Sequence, residues 1–436
     1  MGVLVRLQSR AQESASHKEE WSGLFVGFRA MLWRGFVAMA TIRLVCALVA
    51  AQILTTSALA QESVRWPTQG WEVATPESQG LDADPLRELH DAALEGRYGY
   101  IDRIVVIRNG FLVASERYTQ DYYAISKGHS GSLGCGAETC TDGEESDPFN
   151  YYHPDSHPYF AGRDVHSLQS VTKSVASTII GIALHQGAIA SLQEPLLSFF
   201  PGYNTSGVDV RLHAATLEDL LTMRTGIEWH EQDRPFDETN TTLQLEGSED
   251  WIQFTLDQPS DAEPGTKWVY NSGGSHLMSG VIKHATGMLI DTYAEEHLFG
   301  PLGIQETHWK TTPKGLPDTE GGLYLEAEDL AKIGYLYLQG GVWDGLRILS
   351  EEYSQAATSR IVDAVNGRGW GYGYQWWRID TADTIVWAGL GFGGQYLIVL
   401  PELDMVGVVN SWNIFGLRAA PVLPAFLAAL VDAARQ

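Results

Sequence analysis

The chain has 436 residues, 44% of them apolar, and carries 29 basic against 54 acidic side chains for a net charge of −25. This composition excludes an intrinsically disordered chain and supplies enough material for one large or two ordinary domains with a sizeable core. So strong an acidic excess also excludes a phosphate-tracking surface, and no nucleic-acid partner is expected.

Residues 1–60 stand apart from the rest. Arg29, Arg34 and Arg43 precede the apolar run Leu44–Leu54, and Ser57-Ala58-Leu59-Ala60-Gln61 puts small residues where an A-x-A cleavage site needs them. The pattern predicts a secretory signal, with translation beginning at Met1 or at Met31, and a periplasmic or secreted mature protein. The apolar run falls short of the ~20 residues that span a bilayer, so no stable membrane span is expected. An uncleaved leader acting as an anchor is the alternative.

Next, Pro85–Glu95 reads as a short helix. "IDRIVVIRNGFLVASERY" gives two β-rich runs joined by Asn109-Gly110, a strong hairpin signal. Residues 119–165 are polar, irregular and too long for a plain connector, which suggests part of a site rim. Within them Cys135 and Cys140 lie five apart in a Gly-rich loop. In an oxidising compartment they favour a small disulfide ring; a zinc site is the competing reading, with no further cysteine or histidine pair to complete it.

From about 175 to 340 the texture is mostly helical, with Thr216–Gly226, Asn271–Gly287 and Glu326–Gly341 each ending on glycine. Strands return over Thr384–Trp387, Gln395–Leu400 and Met405–Val409, and a helix over Ala419–Arg435 closes the chain. Strands at both ends with helices between predict an α+β fold. An antiparallel sheet, split in sequence over about 61–165 and 342–436, is flanked by helices, and a mostly helical part is inserted over about 166–341.

The stretch "QSVTKSVASTIIGIALHQG" (residues 169–187) is helical and apolar nearly all round, yet holds Lys173 in its first turn. A buried lysine is costly unless it sheds its proton, and burial lowers its pKa, so the pattern predicts a neutral amine able to act as a base. Ser170, three residues earlier, falls on the same face at roughly 5–6 Å, beside the positive end of the helix. That is the arrangement of an activated serine nucleophile. The bland alternative is a capping serine beside a snorkelling lysine.

Tyr270 and Ser272, in "PGTKWVYNSGG", open a later helix after a flat aromatic strand, and are candidates for carrying and relaying a proton. Gly389, Gly391 and Gly394 satisfy G-x-G-x-x-G, but a strand follows where a dinucleotide site needs a helix. Glycines before an edge-like strand instead allow a substrate or another backbone to approach closely. Trp229, Trp268, Trp370, Trp376, Trp377 and Trp387 flank these motifs as a candidate aromatic rim for an apolar substrate. The acids of "HEQDRP" (230–235) read as a solvated loop, and His166 as a structural hydrogen-bonding residue.

Taken together, "SLQSVTKS", "LLTMRTGIEW", "PGTKWVYNSGG", "GGLYLEAEDLAKIGYLYLQGG" and "GFGGQYLIVLPELD" resemble the penicillin-recognising serine hydrolases, in particular the class C β-lactamase-related group with its esterase and amidase branch. The resemblance runs over about 65–430 and implies a β-lactamase/transpeptidase-like domain over 61–430. It implies Ser170 as nucleophile, Lys173 as its base and Tyr270 as the motif tyrosine. It further implies that Gly393, Gly394 and Gln395 line the site, with the backbone N–H groups of Ser170 and Gln395 as oxyanion hole. Where β-lactamases carry Lys-Thr-Gly this chain has Phe392-Gly393-Gly394, and Tyr270-Asn271-Ser272 replaces Tyr-x-Asn. A phenylalanine cannot greet a substrate carboxylate as lysine does. The expected substrates are therefore small esters or amides hydrolysed through an acyl-serine, with no metal or organic cofactor. A β-lactamase or D-amino-acid-releasing peptidase, with Arg224 or Arg368 supplying the cation, and a non-turnover penicillin-binding sensor are the alternatives.

Overall fold

The computed structural model describes residues 64–121, 162–235, 237–364, 368–413 and 422–435. The expected leader, the Cys135/Cys140 loop and most of the irregular rim lie outside these residues. Residues 65–436 make up one compact unit.

Fourteen strands occur among the described residues. β1 (Glu72–Val73), β2 (Ile101–Arg108) and β3 (Phe111–Arg117) precede the helical region; β4 (His166–Ser167), β5 (Thr307–Trp309) and β6 (Leu323–Leu325) form a small sheet within it. β7 (Val342–Trp343) and β8 (Leu346–Arg347) pair as a hairpin. β9 (Val362–Asp363), β10 (Gly371–Tyr372), β11 (Trp377–Asp380), β12 (Ile385–Gly391), β13 (Gln395–Leu400) and β14 (Met405–Ser411) follow. The nine-stranded sheet has the order β1-β3-β2-β14-β13-β12-β11-β10-β9, antiparallel except for the short β1–β3 pair. The N-terminal hairpin therefore docks beside the last strand, which is how a sheet split in sequence closes.

The β2–β3 turn sits on Asn109 and Gly110, at φ 52° and 77°. Both central positions of this tight turn need positive φ, which Asn and Gly tolerate. β13, expected as edge-like, is instead interior, paired on one side with β12 and on the other with β14.

The principal helices are α1 (Asp84–Leu94), α2 (Val171–His185), α3 (Leu217–Leu221), α4 (Thr241–Glu246), α5 (Trp251–Leu256), α6 (Ser272–Thr286), α7 (Ala327–Leu338) and α8 (Val422–Ala433). Period-two alternation along the central strands divides the core. Val105, Ile107, Leu397, Val399, Val406 and Val408 face the cluster that contains α2, α6 and α7. Ile104, Val106, Ile398, Leu400, Met405 and Val409 face the cluster that contains α1 and α8. The result is a three-layer arrangement with the sheet in the middle. α2, buried along nearly its whole length from Val171 to Ala183, is wedged between the sheet and the helical region. That burial explains its lack of a polar face. No helix among the described residues is long and apolar enough to cross a membrane.

Candidate active site

The turn that leads into α2 is set by Gln169, whose φ of 48° is a left-handed conformation uncommon for a non-glycine residue. It swings the chain from β4 into α2, leaving Ser170 at the N-cap with φ −63° and ψ −6°. The Ser170 side chain makes no capping hydrogen bond; it accepts one from Lys173 Nζ at 3.0 Å. Lys173 is 1% exposed, so its amine does not reach solvent. These two facts remove the reading of a capping serine beside a snorkelling lysine. α2 is fixed at this end by β6: Leu323 N–H donates to Thr172 Oγ1 at 3.2 Å, and Leu168 N–H to the Leu323 carbonyl at 2.9 Å.

That attachment brings the loop before β6 onto the lysine. Lys173 Nζ donates to the Glu320 backbone carbonyl at 2.6 Å and to Glu320 Oε2 at 3.1 Å. Asp318 shapes the loop by accepting from the N–H groups of Glu320, at 2.8 Å, and of Gly321, at 3.2 Å. With Ser170 Oγ the amine has three acceptors, one for each proton of an ammonium. The expectation of a neutral resting amine is thereby corrected. Burial pushes Lys173 down, but the Tyr270 phenol and the carboxylates of Glu320 and Glu231 outweigh it, and its pKa lies above the usual lysine value.

Tyr270 closes the front of this group. Its ring centroid is 5.3 Å from Lys173 Nζ, and its hydroxyl is in hydrogen-bond contact with Ser170. The ring stacks on Trp377 at 5.9 Å and 18°, with Trp268 alongside at 6.3 Å. Burial pushes the phenol up and Lys173 pulls it down; Glu231 and Glu320 add to the rise, so it rests above the ordinary tyrosine range. The residues before Tyr270 are not the aromatic strand expected; they lie outside any sheet, held by Val269 N–H to the Met223 carbonyl at 3.0 Å.

Ser272 does not relay to the tyrosine. Its hydroxyl donates to Glu231 Oε1 at 2.8 Å and its N–H to Glu231 Oε2 at 3.0 Å. Trp229 Nε1 also donates to that carboxylate at 3.0 Å. Glu231 is therefore not part of a solvated loop but the anchor of the N-terminus of α6, where a negative charge meets the positive helix end.

The β12–β13 turn completes the site. Gly391 needs to be glycine because a Cβ there would lie 2.5 Å from the Leu168 carbonyl and 3.1 Å from Gln169 Cβ. The backbone that approaches is thus the one leading to Ser170. Gly393 and Gly394 have φ of 77° and 95°. The turn is tied to β14: Gln395 Nε2 donates to the Ser411 carbonyl at 2.5 Å, Ser411 N–H to Gln395 Oε1 at 3.2 Å, and Asn413 N–H to the Gly393 carbonyl at 3.1 Å. These bonds pin the irregularity in β14 at Asn410/Ser411. The Gln395 side chain, wholly buried, is thus a strut under the turn.

Of the candidate rim, Trp268 and Trp377 join Tyr270 directly, and Trp370 joins Trp377 at 5.8 Å. Trp376 is core, against Tyr337 at 4.6 Å, and Trp229 is buried beside Phe254. His166 is structural: its Nδ1 lies 2.9 Å from the Ser167 carbonyl, its ring packs on Trp412, and burial holds it down at about 4. Arg224 is engaged with Thr222 and the Gly265 carbonyl, and Arg368 lies over the Trp370 ring. The residue that sequence reasoning missed is Glu320. Its signal is an acid directly before the two glycines that open "GGLYLEAEDLAKIGYLYLQGG", a segment that carries the family resemblance but begins one residue after Glu320.

A serine and a lysine on the first turn of a buried helix, a tyrosine across from them and a glycine turn beside them, all on a split antiparallel sheet, define a β-lactamase/transpeptidase-like protein. Residues 157–428 match the Beta-lactamase family, and the chain belongs to it. A 6-aminohexanoate-dimer hydrolase of Paenarthrobacter ureafaciens is 27% identical over 300 residues, 63% of this chain and 74% of that protein. The structure of EstCE1, a hydrolase with promiscuous acyltransferase activity, aligns with a TM-score of 0.58 at 14% identity, over 83% of this chain and 99% of the other. A D-stereospecific amidohydrolase from a Streptomyces species aligns at 0.55 and 17% identity, over 80% and 98%. At such identities the structural likenesses establish the fold.

Proposed function

We propose that the protein is an exported serine hydrolase that cleaves ester or amide bonds of small molecules through a covalent acyl-serine. Ser170 Oγ attacks the carbonyl carbon while its proton passes to the Lys173–Tyr270 pair, which delivers it to the leaving group; water then releases the acyl product by the reverse proton path. The N–H groups of Ser170 and Gln395 are the proposed oxyanion donors, with the first turn of α2 adding its dipole. The observation that carries the reading is the 3.0 Å contact between the buried Lys173 Nζ and a Ser170 Oγ that makes no capping hydrogen bond. The similar proteins named a 6-aminohexanoate-dimer hydrolase, a D-stereospecific amidohydrolase and a hydrolase with promiscuous acyltransferase activity support the substrate class, and the leader motif supports export.

Phe392 in place of a lysine disfavours the β-lactam and D-peptide alternatives, since their substrates carry a carboxylate that Phe392 does not neutralise. The test is hydrolysis of a neutral p-nitrophenyl ester by the wild-type protein and by Ser170→Ala, with intact-mass detection of a transient acyl adduct on the former. Undiminished turnover in Ser170→Ala rejects the reading; an adduct that never clears makes the protein a binder instead.

A further inference from the structure

Lys173 rests as an ammonium, and to accept the Ser170 proton it must first become a base. Behind Lys173 stand four acids: Glu231 between α3 and α4, Glu246 at the end of α4, and Asp318 and Glu320 in the loop before β6. Glu246 and Glu320 are 8% and 5% exposed, and their carboxyls are in hydrogen-bond contact with each other. Two adjoining buried carboxyls cannot both ionise without strong repulsion, so one holds a proton. Burial raises Glu246 well above the carboxylate range, and Glu320, Asp318 and Glu231 raise it further, so the proton rests on Glu246. From the other sides the cluster is faced by Tyr270 and by His276 of α6, whose Nδ1 is 4.0 Å from Asp318 Oδ1 and which burial keeps neutral. Lys310, after β5, is buried too and gives its backbone carbonyl to Asp318 N–H.

We propose that Glu320, backed by the neutral carboxyl of Glu246, is the internal proton acceptor that turns Lys173 from an ammonium into a free amine. The inference rests on the acyl-serine reading and makes Glu320 a positioning residue, acting through the lysine. One N–H bond of Lys173 breaks and an O–H bond forms at Glu320 Oε2, across the 3.1 Å contact. The two N–H groups left then point to Ser170 Oγ and to the Glu320 carbonyl; rotation about Cε–Nζ carries them onto the Glu320 carbonyl and carboxyl and turns the lone pair to Ser170 Oγ. As Ser170 attacks, its proton moves to Nζ and restores the ammonium. Every acceptor is already in place in both protonation states, and no proton has to cross to solvent.

The test is the pH profile of kcat/KM for a neutral p-nitrophenyl ester, read for wild type, Glu320→Gln and Glu320→Asp. With an internal acceptor, the wild-type acid limb lies below neutrality, because it marks protonation of the lysine–carboxylate unit and not loss of a proton from lysine. Glu320→Gln removes the acceptor, so Lys173 must release its proton to water and the limb moves to higher pH by about one unit or more, with activity recovering at alkaline pH. Glu320→Asp keeps the wild-type limb at reduced rate. A role confined to stabilising the ammonium predicts the reverse: loss of the carboxylate lowers the lysine pKa and the limb moves down. A downward shift, a uniform loss with an unmoved limb, or a wild-type limb in the alkaline range overturns the proposal. Activity surviving in Ser170→Ala overturns the acyl-serine reading, whereas Ser170-dependent activity indifferent to position 320 overturns this inference alone.

Discussion

Lys173 and Glu320, 147 positions apart in sequence, meet at 3.1 Å with side chains only 1% and 7% exposed. A buried pair of this kind adds little net stability over an apolar pair, but breaking one half is expensive because the other is left uncompensated. Lys173→Met should therefore abolish turnover almost wholly, by roughly 10²–10⁴ in kcat/KM, and also lower stability by about 3–5 kcal/mol. The loss should grow with pH, because a buried carboxylate left without its cation is costlier than a neutral carboxyl. Urea denaturation of both proteins at mildly acidic and mildly alkaline pH checks this, and a pH-independent gap counts against the pairing.

Tyr270 separates packing from chemistry. Its ring stacks on Trp377 and its hydroxyl meets Ser170. Tyr270→Phe keeps the stack and deletes the proton carrier, so kcat should fall by roughly 10²-fold or more while KM changes little. Its stability should stay within about 1.5 kcal/mol of wild type. Steady-state kinetics with thermal melts distinguish this from a purely structural tyrosine, for which both would fall together.

The parts of the molecule written in local chemistry were legible in the sequence. The Asn109-Gly110 turn, the Gly287 end of α6 at φ 74°, and the three-residue spacing of Ser170 and Lys173 each depend on near neighbours. What was illegible depends on distant ones. Glu231 sits in a run of polar residues, and its burial comes from Ser272, 41 positions away. The resting charge of Lys173 is not legible for the same reason: the helix shows that the amine is buried, whereas the groups that hold its proton, Tyr270, Glu320 and Glu231, come from three other segments. Gly391 was readable as a place of close approach, but not as an approach by Leu168 and Gln169.

That contact gives a third prediction. A methyl at position 391 cannot fit 2.5 Å from the Leu168 carbonyl, and Gly391 has no positive φ to complicate the result. Gly391→Ala should push the β12–β13 turn and the turn before Ser170 apart, at an overpacking cost of about 1–3 kcal/mol. Because a displacement of an ångström at the reacting atoms costs about 10²-fold, kcat should suffer far more than the folded fraction. Acylation rates measured by intact mass at a temperature well below the melting transition isolate the effect.

Phe392 yields a prediction on selectivity. A lysine there would supply the cation that the turn lacks, and a charge-assisted hydrogen bond to a substrate carboxylate contributes roughly 1.5–3 kcal/mol. Phe392→Lys should thus raise kcat/KM for a carboxylate-bearing ester relative to its neutral counterpart by about tenfold or more. The neutral ester should at the same time lose ground with the aromatic side chain. Paired measurements on two esters differing only in that carboxylate decide it, and an unchanged ratio would place the acyl group away from the turn.

His276 tests the polarity of the ground beneath the site. It is 1% exposed, packed edge-on to Trp251 at 5.2 Å, and held by burial at about 3. An unfolded histidine titrates near ~6.5, so between that value and about 3 the unfolded chain binds a proton that the folded one refuses. The stability this residue contributes is complete above the unfolded pKa and is lost as pH falls. At about pH 5 the loss amounts to roughly 2 kcal/mol relative to neutral pH. His276→Phe keeps the edge-on contact and removes the titration, so its stability deficit relative to wild type should shrink by that amount on acidification, or reverse. A deficit constant between pH 7.5 and 5 would mean that an ionised Asp318, 4.0 Å away, stabilises the protonated His276 as an ion pair in the core.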